Sequence, residues 1–381
     1  MMHLLIVLLI FAKAVDFIGT APVKFCYYVH DDKGGLMPED INGSLCTHIV
    51  YGFADIVNHT VYPRGKDANA TRSVWRRVVD LKKRFVDLHV LLSIGATPKN
   101  FSETAAVDDT LNRFAQSAQR VIEHNGFDGL DIDWEFPVLS GLSWMDRANF
   151  IKLLSKLQGT FNRSIAKTGK HILLTAAVAA PFSIVEVSYD VPNMAKYLDY
   201  CLLMGYDFSR YNPIFPIAEF NSPLFSHKGQ VSFLRFLNLE YASNLWVRKG
   251  MPRSKIVVGI PFYSVMFKLI NPAMHDVGAP VSGDTTITYT QVCKLILQNE
   301  WTSVFHNESQ VPYAYHDEDW VTFDDVRSVS KKVDWIMDNN FAGVMTFDLG
   351  SDDHAKQCST SGSAFPLQKA VDRRIKNRMT L

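Results

Sequence analysis

Residues 127–135 read Phe-Asp-Gly-Leu-Asp-Ile-Asp-Trp-Glu. In an extended strand, side chains two apart share a face, so Asp131, Asp133 and Glu135 project one way while Ile132 and Trp134 point the other. Ionised carboxyls at a spacing of about 6 to 7 Å repel one another, so such a row persists where protons are shared or pKa values are raised. A carboxylic acid kept protonated near neutral pH can donate its proton to a leaving group. The blander alternative is a solvated edge strand. The neighbours Phe127, Leu130, Ile132, Trp134 and Phe136 argue against it, because they are strongly apolar, as in a strand covered by helices. Asp128 and Gly129 suit a tight start to the strand, and Pro137 ends the ladder.

Such a row needs a sheet to hold it. Short apolar strands alternate with amphipathic helical stretches from end to end, which argues for a parallel sheet wrapped by helices. Strands are expected at Val23 to Tyr28, His48 to Phe53, Val90 to Ile94, Gly129 to Glu135, Ile172 to Ala177, Cys201 to Tyr206, Ile256 to Ile260 and Ala342 to Phe347. Helices are expected at Ser73 to Phe85, Asp109 to His124, Arg147 to Thr168, Val231 to Lys249, Ser328 to Asn339 and Pro366 to Arg378. Eight strands make a closed (β/α)8 TIM barrel, an α/β fold, over residues 21–381. Catalytic groups in such a barrel sit at the carboxyl ends of the strands, where Glu135 falls. The rhythm breaks over 267–318, which reads as turns, short strands and one helix from Gln291 to Gln298. This is a small α+β insertion after the seventh strand, placed to wall one side of a cleft.

Bulk composition narrows the partners. Lys plus Arg and Asp plus Glu are both 39, and a formal net charge of zero argues against nucleic acid or an anionic membrane. Aromatic residues make up 12% of the chain, which suits stacking on sugar faces as well as a large core. Met1 to about Ala14 is a short apolar stretch ending in Ala-Lys-Ala, too short to span a bilayer and read as a signal peptide whose end lies no later than about residue 20. Asn-x-Ser/Thr sequons at Asn42, Asn58, Asn69, Asn100, Asn162 and Asn307 fit a secretory route. Cys26 and Cys46 lie at the ends of two expected strands and can pair in an oxidising compartment. Cys201, inside Tyr-Cys-Leu-Leu-Met, reads as a small buried hydrophobe. No Cys-x-x-Cys or His cluster has ligand spacing, so neither metal nor cofactor is expected.

The acidic run matches Asp-Gly-x-x-Asp-x-Asp-x-Glu and resembles the signature of the family 18 glycoside hydrolases, the chitinases and their chitin-binding relatives. Leu92-Ser93-Ile94-Gly95-Ala96 resembles that family's Ser-x-Gly-Gly block, and Met204-Gly205-Tyr206-Asp207 its Met-x-Tyr-Asp block. Cys26-Tyr27-Tyr28, Tyr51-Gly52-Phe53-Ala54, Asn221-Ser222-Pro223-Leu224, Gly259-Ile260-Pro261-Phe262-Tyr263 and Gly343-Val344-Met345-Thr346-Phe347 follow in the family's order. The resemblance implies a secreted, endo-acting chitinase, expected as a monomer, whose partner is chitin or N-acetylglucosamine oligosaccharides. It implies substrate-assisted cleavage. Glu135 would protonate the glycosidic oxygen while the sugar's 2-acetamido carbonyl attacks its own anomeric carbon. Asp133 would hold the acetamido N–H, Asp131 would share a proton behind it, Tyr206 would donate to the acetamido oxygen and Asp207 would position the same sugar. Tyr27, Phe53, Gly95, Met204 and Phe347 would line the sugar site. The resemblance also suggests a Cys293–Cys358 disulfide.

The chain departs from the family near the expected cleft. Ala96 replaces the second glycine, Ser264-Val265 stands where many members have Gly-Arg, Phe347 replaces the usual Trp, and Phe-Ser-Arg follows Asp207 in place of Phe-His-Gly. A phenyl ring offers less stacking area than an indole. A chitooligosaccharide-binding lectin that no longer cleaves is therefore the main rival reading, and a growth-factor-like or structural protein on the same barrel is a third. The non-cleaving relatives commonly replace the last acid of the run, which this chain keeps as Glu135.

Overall fold

The computed structural model describes residues 21–31, 35–139, 143–298, 300–358 and 362–379. The stretch from Met1 to Ala14 lies outside these. In chain order the elements are β1 (Val23–Val29), β2 (His48–Val57), β3 (Thr60–Pro63), α1 (Ala68–Val79), β4 (His89–Ile94), α2 (Pro98–Ala106), α3 (Asp108–Asn125), β5 (Gly129–Asp133), α4 (Asp146–Thr168), β6 (Leu173–Ala179), α5 (Phe182–Ser188), α6 (Val191–Tyr197), β7 (Tyr200–Met204), α7 (Leu239–Arg248), β8 (Ile256–Pro261), β9 (Tyr263–Leu269), β10 (Val281–Thr288), α8 (Tyr289–Leu297), β11 (Thr302–His306), β12 (Val311–His316), β13 (Asp319–Thr322), α9 (Val326–Asp338), β14 (Gly343–Phe347) and α10 (Pro366–Met379).

Strands β1, β2, β4, β5, β6, β7, β8 and β14 pair in parallel, and β1 bonds to both β2 and β14, closing an eight-stranded TIM barrel. Alternation along each strand divides the apolar residues into two sets. Phe25, Tyr27, Val50, Leu91, Leu202, Val257 and Met345 belong to the buried cluster within the barrel. Ile49, Leu92, Ile132, Leu203, Val258 and Val344 pack in the layer between sheet and helices.

The helices begin and end where local chemistry satisfies them. Asp67 caps α1 by accepting from the amides of Asn69 and Ala70, so the helix starts five residues before Ser73 and α-helix gives way to a 3-10 turn at Asp80. The expected Val231 to Lys249 helix is broken, because Asn238 turns its side chain onto the Tyr241 amide and starts α7 afresh. Helices α2, α5 and α6 were not anticipated, being short, with Pro98, Pro181 and Pro192 at or beside their first residues. The insertion is wider than 267–318. Its antiparallel sheet, in the order β10-β9-β13-β12-β11, runs from Tyr263 to Thr322, because β9 starts one residue after β8 ends and Tyr263 already pairs with Thr288.

Disulfides join Cys26 to Cys46 and Cys293 to Cys358, and Cys201 is a free, buried thiol. Among the described residues no helix is long and apolar enough to cross a membrane.

Candidate active site

At the carboxyl ends of the barrel strands lies a cavity of about 620 Å³. Tyr27, Phe53, Gly95, Asp133, Glu135, Met204, Tyr206, Asp207 and Phe347 all line it. Of the acidic run, Asp128 and Asp131 do not reach it; the side chain of Asp131 is wholly buried below. Strand β5 ends at Asp133, two residues short of Glu135. Glu135 therefore stands beyond the ladder at the open rim, where it meets solvent. Non-proline cis peptide bonds occur at Gly52–Phe53, Glu135–Phe136 and Phe347–Asp348, all at this rim.

The two inner acids have opposite surroundings. Both oxygens of Asp131 are occupied: Oδ2 accepts from the hydroxyls of Tyr27 (2.7 Å) and Ser93 (2.6 Å), and Oδ1 from Thr175 (2.7 Å). Burial raises its pKa, and the three hydroxyls work against that rise. Asp133 is equally hidden, but its Oδ1 is buried with no hydrogen-bond partner. Burial first, then the charges of Glu135 and Asp131, push its pKa well up, with Arg64 opposing. Glu135 is raised first by burial of part of its side chain and then by the charge of Asp207. All three acids of the row are thus raised above the ordinary carboxylate range, with burial the leading cause.

The remaining lining residues are placed by tight backbone packing. A methyl group on Gly95 would meet the Phe53 ring at 2.8 Å, and one on Gly205 would meet Leu239 at 2.2 Å and the Gly259 carbonyl at 2.5 Å, so both positions need glycine to bring the rim together. Tyr206 is buried, its hydroxyl 3.9 Å from the Met345 sulfur. Asp207 adopts a left-handed backbone (φ 54°), held by its amide donating to Asn221 Oδ1 at 2.9 Å. The Phe347 ring sits 5.3 Å from Tyr27, 5.8 Å from Tyr206 and 6.2 Å from Tyr263.

Among the lining residues that escaped the sequence reading as site residues, four carry charge or a phenol: Arg64, Arg210, Tyr263 and Asp348. Arg64, at the end of β3, donates to the Gly95 carbonyl and lies over the Phe53 ring at 5.4 Å. Tyr263 opens β9 and faces Tyr206 edge-on at 5.7 Å. Asp348 follows Phe347, and burial lifts its pKa to about 6 against the Ser351 and Gly350 amides that donate to it. Arg210 reaches the cavity from the loop after β7. Tyr263 could have been found, since it completes the Gly-Ile-Pro-Phe-Tyr block; Arg64 carries no local signal. Among the described residues no cluster of three or more His, Cys, Asp or Glu side chains could hold a metal ion.

The sequence profile of glycosyl hydrolases family 18 matches residues 23–352. The chain belongs to that family. It is 30% identical to mouse (Mus musculus) chitotriosidase-1 over 373 residues, 93% of this chain and 78% of that protein. Among solved structures, an immunomodulatory active chitinase from Trichuris suis superposes with a TM-score of 0.87 at 30% identity, covering 93% of this chain and all of that one. Human YKL-39, a pseudo-chitinase with retained chitooligosaccharide binding properties, superposes with a TM-score of 0.86, again at 30% identity and with 93% and 100% coverage. The family thus includes both cleaving and non-cleaving relatives of nearly equal likeness. Of the departures, Ala96, Arg210 and Phe347 line the cavity, whereas Val265 is buried in β9 opposite Thr286.

Proposed function

We propose that the protein is a secreted, endo-acting chitinase that cleaves β-1,4-linked N-acetylglucosamine polymers by substrate-assisted, retaining catalysis. The observation that carries this reading is the pairing of a rim acid, Glu135, with a largely buried Asp133 that lines the same cavity and whose buried Oδ1 has no hydrogen-bond partner. A buried acceptor without a donor costs about 1–3 kcal/mol. Where the Asp133 carboxyl lines the cavity, a sugar's acetamido N–H would supply it with a donor. The acetamido carbonyl oxygen then attacks the anomeric carbon as Glu135 gives its proton to the departing glycosidic oxygen. The cation formed lies beside Asp133, and Glu135, now a carboxylate, takes a proton from the water that opens the intermediate. Tyr206 and Asp207 stand where they can hold the acetamido oxygen and the ring of the same sugar.

Likeness to YKL-39 favours a second reading, binding without cleavage. Release of a fluorophore from a chitotrioside separates the two. Turnover supports the enzyme; tight binding measured by calorimetry with no release over hours supports the lectin.

A further inference from the structure

The loop after β7 carries the chain's most polar departure from its family, and the structure gives Arg210 in it a full set of partners. Its Nε and Nη2 donate to Asp284 at 2.9 and 3.2 Å, and its Nη1 donates to Thr286 at 3.0 Å and to Asp207 at 3.3 Å. Asp284 is further fixed by the Tyr211 amide at 2.7 Å. Asp284 and Thr286 are two apart on β10, so they share one face of the insertion's sheet. Asp207 belongs to the barrel. One guanidinium therefore spans the two walls of the cleft, its planar fork matched to one carboxylate while a free N–H holds the other.

We propose that Arg210 is a positioning residue for the rim acid: it holds Asp207 beside Glu135, offsets the charge of Asp207, and fastens both to β10 of the insertion. This rests on Glu135 being the general acid. Glu135 is faced by Asp207 from the loop after β7, by Asp133 from β5, by Tyr206 from the end of β7 and by Tyr189 from the turn between α5 and α6. Asp207 is faced by Arg210 and by Tyr263 of β9. Arg64, the other cation lining the cavity, acts on Asp133. Arg210 is thus the cation that counters Asp207, and no second one replaces it among these groups. Because the pair is partly exposed, water and salt screen it, and the effect is moderate.

The test is the pH dependence of kcat/KM on a fluorogenic chitotrioside for the wild type and for Arg210→Leu, Arg210→Gln and Arg210→Lys. The alkaline limb reports loss of the proton from the free enzyme's acid. Removing the cation leaves Asp207 and Asp284 uncompensated, so Glu135 holds its proton more tightly. The limb should move upward by about 0.3 to 1 pH unit in the Leu and Gln variants, and return to the wild-type position in the Lys variant. A limb that stays in place while the melting temperature falls would show Arg210 to be a structural brace only, and would overturn the proposal. Should the leucine variant not fold, the glutamine variant carries the test. Should wild type itself not cleave, the functional reading fails, and Arg210 is tested instead by carbon-13 titration of the Glu135 carboxyl, identified by its loss in Glu135→Gln. The same upward shift in Arg210→Gln is expected there, and its absence refutes the role.

Discussion

Two groups of buried charge lie about the end of β7, one behind the cleft and one within it, and they are satisfied to different degrees. Behind the cleft, Lys332 and Asp324 are almost wholly buried and bonded at 2.6 Å. Lys332 also donates to the Ser222 hydroxyl at 3.0 Å, Ser222 donates to the Gly205 carbonyl at 2.6 Å, and Asp324 accepts from Ser328 at 2.7 Å. This network holds the backbone just before Tyr206 and Asp207. At the cleft, Asp131 lies below the cavity and is saturated by hydroxyls, but Asp133, which lines it, is left with an unpaired oxygen. The Lys332–Asp324 charges are thus matched to each other and to hydroxyls, whereas Asp133, which lines the cavity, has an oxygen with no partner. Proteins carry such unsatisfied groups at functional sites and lose stability by it.

The sharpest way to probe the cleft half of this contrast is Glu135→Gln. The amide keeps the shape but has no proton to give, so cleavage should fall by about 100 to 10,000-fold while oligosaccharide affinity stays within a few-fold of wild type. Retained turnover in that variant would remove Glu135 from the chemistry. The supporting half is probed by Lys332→Met, which strands Asp324 in a dry interior. Denaturant unfolding should show a loss of about 3–5 kcal/mol, and Lys332→Met with Asp324→Leu should recover much of it. A loss under about 1 kcal/mol in the single variant would mean that the pair is less dry than its burial indicates. Asp133→Asn tests the contrast directly. Unlike Lys332→Met, it should leave stability unchanged or raise it by on the order of 1 kcal/mol, because it removes a carboxylate raised by burial and like charge. Activity on acetamido-bearing substrates should collapse all the same. A variant both inactive and strongly destabilised would place Asp133 with the supporting charges instead.

How much of this was legible in the chain follows from whether the signal was local. The eight barrel strands showed as apolar runs, because a strand buried on both sides has no polar face to hide. The acidic row showed because its spacing is two. Its geometry was less exact than that spacing implied, since β5 stops at Asp133 and Glu135 leaves the strand before the chain turns. The hydroxyls that saturate Asp131 come from β1, β4 and β6, and no window of sequence brings Tyr27, Ser93 and Thr175 together. Arg210 was visible only as a mismatch after Asp207, because its meaning depends on Asp284 and Thr286, more than seventy residues away. The broken helix at Asn238 was a competition that helical periodicity cannot see, in which a side chain caps the backbone locally.

The smallest expected effect concerns Phe347, where the cleft's apolar side differs from that of the family. The ring is half-buried, hemmed by Tyr27, Tyr206 and Tyr263 and open to the cavity that Ala96 and Met204 also line. Three tyrosine neighbours fix its plane, so a bound sugar would meet an ordered aromatic surface whose only shortfall is area. Phe347→Trp should extend that surface, and since an aromatic contact is worth about 0.5 to 1.5 kcal/mol beyond its area burial, chitooligosaccharide affinity should rise a few-fold to tenfold. Phe347→Ala should lose at least as much. The contrast between supporting and site residues supplies the check, because a residue that merely plugs the barrel mouth would behave as Lys332 does. Phe347→Ala would then lower the melting temperature and leave affinity unchanged when calorimetry is run well below the transition. Loss of affinity at an unchanged melting temperature would assign Phe347 to the sugar site, as the aromatic wall of the cavity that Asp133 also lines.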